Sequence, residues 1–202
     1  IGRKRGISWK PMLVVLLAMI GSLAYGTWRM TEIDRTAETA SMRTVTLVQG
    51  NIDQSKKWIR AFLNKTWEQY GRLTDSASGE RPDLTVWPET ALPFYFLHDK
   101  KPTKKVLDFI RKAQGHFIVG SPSFQVNGEG LVYFNSAFLI GPNAHVLGKY
   151  DKVHLVPYGE YVPFKKYLPF LGKMVEAVGD FEAGEAGHVL SWKKEKLGVL
   201  IC

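Results

Sequence analysis

Cys202 is the single cysteine of this 202-residue chain, and it closes the strand-like run Lys196-Leu197-Gly198-Val199-Leu200-Ile201. A thiol at the tip of a strand can act as a nucleophile. At neutral pH a free thiol is mostly protonated, so it needs a base or a cation beside it. Two segments offer such groups. Trp87-Pro88-Glu89-Thr90 puts a carboxylate directly after an apolar strand, where proline fixes the backbone and the carboxylate is aimed at a strand-end pocket. A carboxylate against an apolar wall can be tuned to take and return a proton. Tyr150-Asp151-Lys152-Val153-His154-Leu155 carries an ammonium of the kind that stabilises a thiolate or an oxyanion, an effect worth about a few kcal/mol. Each group also has a plain explanation. A lone cysteine is often a small buried hydrophobe, a turn glutamate is often solvated, and most lysines, Lys149 among them, are surface charges.

The elements that must position these groups are legible as alternating strand and helix patterns. Val45-Thr46-Leu47-Val48-Gln49 reads as a buried strand ended by Gly50-Asn51. Ile59, Phe62, Leu63, Thr66, Trp67, Tyr70 and Leu73 then fall on one helical face. A break over 76–82 precedes the strand 84–87, and Val106, Leu107, Ile110 and Ala113 mark a second amphipathic helix over 103–114. Strands are expected at 116–120 and 131–140, joined through Asn127-Gly128-Glu129-Gly130, and at 146–149 after Gly141-Pro142-Asn143. An irregular stretch over 156–187 leads to strands at 188–192 and 196–201. This order predicts an α/β fold of sheets packed against helices.

Apolar residues make up 45% of the chain and charged residues 23%, the balance of a folding chain. The net charge of +8 is uneven: Arg3, Lys4, Arg5 and Lys10 crowd the first ten residues, whereas the rest mixes both signs. With no nucleic-acid motif, no nucleic-acid partner is expected. Lys100, Lys101, Lys104 and Lys105 read as a solvated face. One cysteine excludes an internal disulfide and any cysteine-cluster metal site. His98, His116, His145, His154 and His188 show no metal-ligand spacing, so neither metal nor cofactor is expected.

Pro11 to Trp28 contains no charge and is bracketed by Trp9 and Trp28. That length lies near the lower end of the roughly 17–25 residues of a membrane-spanning helix. The basic flank at 1–10 predicts a cytoplasmic N-terminus, with residues 29–42 a polar connector to a domain at 43–202 outside the cytoplasm. A cleaved signal peptide ending near Ser22-Leu23-Ala24 is the alternative, and it sends the domain to the same side.

Glu89, Lys152 and Cys202, in that order and each after an apolar strand, resemble the nitrilase (carbon–nitrogen hydrolase) superfamily. Further segments resemble its membrane-anchored branch, the apolipoprotein N-acyltransferases: Val48-Gln49-Gly50-Asn51-Ile52 with Gln54 and Lys57-Trp58, and the run from His154 through Leu155-Val156-Pro157-Tyr158-Gly159-Glu160-Tyr161 to Pro163. The resemblance implies a nitrilase-like α-β-β-α sandwich, incomplete at its C-terminus, preceded by one transmembrane helix. It implies Glu89 as general base, Lys152 as stabiliser of oxyanion and thiolate, Cys202 as nucleophile and Glu160 as a supporting glutamate. Trp58 is implied near the entrance, and Asn135 in the central strand. One departure stands out: the branch commonly shows Tyr-Asn-Ser where this chain has Phe134-Asn135-Ser136, with Tyr133 one place earlier.

The implied reaction moves a fatty acyl chain from a membrane phospholipid, through a thioester on Cys202, to the α-amine of a diacylglyceryl-cysteine on an apolipoprotein. The implied setting is the bacterial inner membrane, with the catalytic domain on the periplasmic side and the protein acting as a monomer. Two apolar runs suit a lipid substrate: 91–97, with Phe94, and 161–171, with Tyr161, which read as lids dipping into the bilayer interface. An extracytoplasmic amidase hydrolysing small amides is the alternative enzyme, and a membrane-tethered binding module with a structural Cys202 the alternative outside enzymes. A chain that starts at Ile1 and ends on its candidate nucleophile is expected to be a fragment, inactive alone.

Overall fold

The computed structural model describes residues 9–59, 62–77, 79, 81–128, 130–161 and 181–202. The chain divides after Met42 into two compact units. The first contains helix α1, Lys10–Thr39, which is long and apolar enough to cross a membrane and has no buried residue. Its 30 residues span roughly 45 Å, more than the ~30 Å of a hydrocarbon core. The connector expected from residue 29 is therefore helical for most of its length. No proline or glycine interrupts 29–39, and Arg29 and Glu32 form an ion pair at one-turn spacing, 2.6 Å apart. The helix ends where Ala40 turns extended.

The second unit is built on a five-stranded sheet in the order β1 (Val45–Leu47), β2 (Leu84–Val86), β3 (Phe117–Asn127), β4 (Gly130–Ile140), β5 (Val146–Asp151). The first three strands run parallel, and the last three pair antiparallel. Helices α2 (Gln54–Lys57) and α3 (Leu63–Ser76) lie between β1 and β2 in sequence, and α4 (Lys100–Ala113) lies between β2 and β3. Side chains alternate across a strand, and the two faces of this sheet build two cores. Phe117, Val119, Phe138 and Ile140 join Tyr70 of α3 and Val106 and Ile110 of α4 on one face. Ile118, Ala137, Leu139 and Tyr150 join Leu190 and Trp192 on the other. The hairpin of β6 (Leu190–Trp192) and β7 (Glu195–Leu197) covers that second face. Two ion pairs tie it to the starts of β1 and β2, Arg43–Glu195 at 2.5 Å and Lys193–Asp83 at 3.0 Å.

The layering is the α/β arrangement expected from the sequence, with three layers among the described residues. The run to Cys202 differs. Among the described residues, the strand expected at 196–201 pairs only as far as Leu197, and 198–202 forms no ladder. Val199 and Ile201 still pack on the second core while Leu200 is exposed, so the alternation of a strand persists past the last ladder pair among the described residues. Cys202 itself is exposed, not the tip of a buried strand. Residues 162–180, most of the second apolar run, lie outside the described residues.

Candidate active site

Glu89 is fixed by the packing of main chain on main chain. Trp87 is fully buried, stacks on Tyr70 and donates from Nε1 to Thr74 Oγ1 at 2.9 Å, which anchors the end of β2 to α3. Pro88 then turns the chain, Thr90 adopts φ 50°, and Ala91 N–H closes the turn on Pro88 O at 3.1 Å. The turn rests directly on Gly120 of β3. A Cβ there would stand 2.4 Å from Pro88 O, 2.7 Å from Thr90 N and 2.8 Å from Glu89 Cα. Only glycine leaves room for this turn.

Lys152 immediately follows β5. Its N–H donates to Asn135 O at 2.8 Å, and its own carbonyl accepts from Gly184 N–H at 2.9 Å. Gly184 has no space for a side chain either, since a Cβ would lie 2.3 Å from Asp151 O. With its backbone held on both sides, the side chain is 1% exposed. Its ammonium lies 2.8 Å from Glu160 and 4.0 Å from Glu89 Oε1. It also donates to the main-chain oxygen of Cys202.

Asn135 links the two carboxylates. Its amide Nδ2 donates to Glu89 Oε1 at 2.6 Å and to Glu160 Oε1 at 3.1 Å. Those acceptors fix the amide's orientation, because the flipped form would set an oxygen against two carboxylates. Glu160 accepts a further bond from Val156 N–H at 2.8 Å. Burial alone would raise the Glu160 pKa. The hydrogen bonds from Lys152, Val156 and Asn135, with the Lys152 charge, outweigh it and hold the carboxyl below its ordinary range. The cluster thus carries two carboxylates, one buried ammonium and one oriented amide. That set suits proton transfer at Glu89 and stabilisation of an anion near Lys152.

A cavity of about 630 Å³ opens over the cluster. Glu89, Asn135 and Glu160 contribute its polar part, and Trp58, Tyr95, Tyr133 and Phe181 its aromatic walls. Tyr95 and Tyr133 are in ring contact, 5.9 Å between centroids, and Phe124 packs against both. Tyr133 shares the Asn135 face of β4, two residues away. Phe134 lies on the opposite face, under Lys149 at 4.9 Å, so a phenylalanine at 134 leaves the cavity wall unchanged.

The structure brings Glu89, Lys152, Glu160, Asn135 and Trp58 together, with the Cys202 main chain on Lys152. It does not bring Phe94 to the cavity. Ala91, Leu92, Phe94 and Phe96 are buried in the first core, so this run is core and not a lid. Its apolar residues pack under β3, with Ser121 Oγ donating to Phe94 O at 2.7 Å, and Tyr95 is the residue that faces the cavity. Tyr161 is half-exposed, pairs with Pro157 and does not line the cavity. Sequence reasoning missed Gly120 and Gly184, and it assigned no separate role to Tyr95 within the 91–97 run or to Lys57 within the motif that ends at Trp58. A glycine inside a strand pattern is the signal that marks Gly120 as a close approach.

Residues 44–202 match the carbon-nitrogen hydrolase family. The chain belongs to that family. Within it, the chain is similar to the apolipoprotein N-acyltransferase of Geobacter metallireducens, 41% identical over 96% of this chain and 36% of that protein. The apolipoprotein N-acyltransferase of Allorhizobium ampelinum is 32% identical over 100% of this chain and 39% of its own length, and that of Brucella suis 31% over 90% and 35%. The chain therefore spans little more than a third of the length of these relatives. A crystal structure of a carbon-nitrogen hydrolase from Helicobacter pylori matches with a TM-score of 0.49 and 21% identity over 79% of this chain and 51% of that one, a likeness too loose to transfer any residue role.

Proposed function

We propose that this chain carries the catalytic groups of an apolipoprotein N-acyltransferase, working by two acyl transfers through Cys202. Glu89 takes the thiol proton and the Cys202 sulfur attacks the ester carbonyl of a membrane phospholipid. Lys152 stabilises the tetrahedral oxyanion. The C–O bond breaks, Glu89 returns its proton to the leaving alkoxide, and a lysophospholipid departs from the thioester. The α-amine of a diacylglyceryl-cysteine then attacks. Glu89 takes the amine proton, the C–N bond forms and the C–S bond breaks, and the thiolate recovers the proton from Glu89. Glu160 and Asn135 act as positioning residues, the first on Lys152 and the second on both carboxylates.

The observation that carries this reading is the buried Lys152 ammonium, held between Glu160 and Glu89 with the Cys202 main chain on it. The aromatic cavity wall suits an acyl chain better than a small polar amide, and relatives 41%, 32% and 31% identical bear the acyltransferase name. Covalent catalysis suits two bulky lipids that occupy one cavity in turn. In this reading α1 anchors the domain in the bacterial inner membrane, with the basic flank cytoplasmic, the domain periplasmic and the protein monomeric.

The test uses the full-length protein in vesicles of defined phospholipid, with a synthetic diacylglyceryl-cysteine peptide as acceptor and mass spectrometry as readout. The expected product is the peptide heavier by one acyl chain, with lysophospholipid formed in equal amount. Free fatty acid without acylated peptide, or hydrolysis of small amides at the expense of transfer, overturns the reading in favour of an amidase.

A further inference from the structure

A second buried ammonium stands at the site, that of Lys57 in α2. The residue is only 9% exposed, and its Nζ donates to the main-chain oxygen of Glu89 at 3.3 Å. A lysine removed from water usually answers a carboxylate side chain, whereas this one grips the backbone of the candidate base. The preceding loop delivers it there. Val48 N–H bonds Val86 O at 3.0 Å, which ties the loop's start to β2. Gly50 lies against Tyr70, where a Cβ would approach the ring to 2.6 Å, and Asn51 turns the chain at φ 48°. Asp53 Oδ1 accepts from Ser55 N–H at 3.0 Å and Oγ at 2.7 Å, setting the first turn of α2. The next residue, Trp58, reaches the cavity wall.

We propose that Lys57 is a positioning residue for the Glu89 base: it pins the turn that presents the carboxylate. The inference rests on the reading of Glu89 as the base. The turn has reason to need a pin, since Thr90 is a β-branched residue at φ 50° and such a conformation persists only when its surroundings hold it. Burial draws the Lys57 pKa below its ordinary value, and the Glu89 charge opposes that shift. The other groups facing Glu89 are Lys152, 4.0 Å away, and Asn135, which joins it to Glu160.

The test follows acylation of the full-length protein by an alkyne-tagged phospholipid in vesicles, as hydroxylamine-releasable label, over a range of phospholipid concentrations. Lys57→Met is expected to lower the maximal labelling rate about tenfold with the half-saturating phospholipid concentration unchanged, because a misplaced base slows the chemical step and not binding. Lys57→Arg, which keeps a long donor to the Glu89 carbonyl, restores most of the rate. Lys57→Gln, a shorter donor, loses rate in the same way, and it answers the question if the methionine variant does not fold. A maximal rate unchanged in the folded variants, or a loss that Lys57→Arg does not restore, overturns the proposal and makes Lys57 structural. Wild-type protein that never labels overturns the reading of the site itself.

Discussion

Gly120→Ala tests whether main-chain contact between β3 and the Glu89 turn sets the position of the base. The new methyl would stand 2.4 Å from Pro88 O, 2.7 Å from Thr90 N and 2.8 Å from Glu89 Cα. Ordinary contact begins near 3.4 Å, so the turn must retreat by about 1 Å, and a misplacement of that size at a reacting group lowers rates about 100-fold. All three neighbours are main-chain atoms and have no rotamer to change. Overpacking of this kind costs about 1–3 kcal/mol of stability, which a folded domain survives. The assay is the rate of Cys202 acylation in the full-length protein, with thermal unfolding measured in parallel. Gly128→Ala is the control, since a Cβ at Gly128 meets nothing within 4 Å. A Gly120→Ala protein that folds and acylates at the wild-type rate would refute the claim that this contact places Glu89.

Three further outcomes are expected. Lys152→Met leaves Glu160 largely buried without its cation and should abolish acylation while lowering unfolding stability by about 3 kcal/mol, read by urea denaturation; a variant as stable as wild type contradicts the ion pair. Glu160 is held below its ordinary value of 4.5, so the unfolded chain binds this proton more readily than the folded one. The stability it contributes is complete above pH 4.5 and is lost as pH falls through the lower folded value, so the gap between wild type and Glu160→Gln in urea should narrow only on the acid side; a constant gap contradicts it. Trp58 is 60% exposed on the cavity wall, so Trp58→Ala should raise the KM for phospholipid about tenfold with an unchanged unfolding temperature, and a lowered unfolding temperature with unchanged KM would make it a packing residue.

Much of this architecture is readable in the sequence because its periodicities are strong. The apolar face through Thr66 and Tyr70 and the face through Val106 and Ile110 become α3 and α4, and the runs around Val119 and Leu139 become the long central hairpin. Glu89 and Lys152 stand out because a proline and a short polar motif mark where each strand stops. Other features leave weaker traces. Phe94 belongs to an apolar run, and residue type alone does not say whether β3 or a lipid covers it. Lys57 belongs to the motif that ends at Trp58, but its role shows only once the loop through Gly50 carries its ammonium to the Glu89 main-chain oxygen. At Leu197 the alternating pattern continues but the ladder stops, since pairing depends on a neighbouring strand that local sequence does not encode. The close approaches at Gly120 and Gly184 are contacts between distant main chains, and their only trace in sequence is a glycine.

The thioester on Cys202 is the step that most directly distinguishes covalent acyl transfer from other chemistry at this site. The full-length protein, wild type and Cys202→Ala, would be placed in membranes containing alkyne-tagged phospholipid, and protein-bound label released by neutral hydroxylamine would be measured. Releasable label is expected on the wild type and none on Cys202→Ala at equal folded amounts. Equal label on both, or none on a folded wild type that still acylates its acceptor, would contradict covalent catalysis by Cys202.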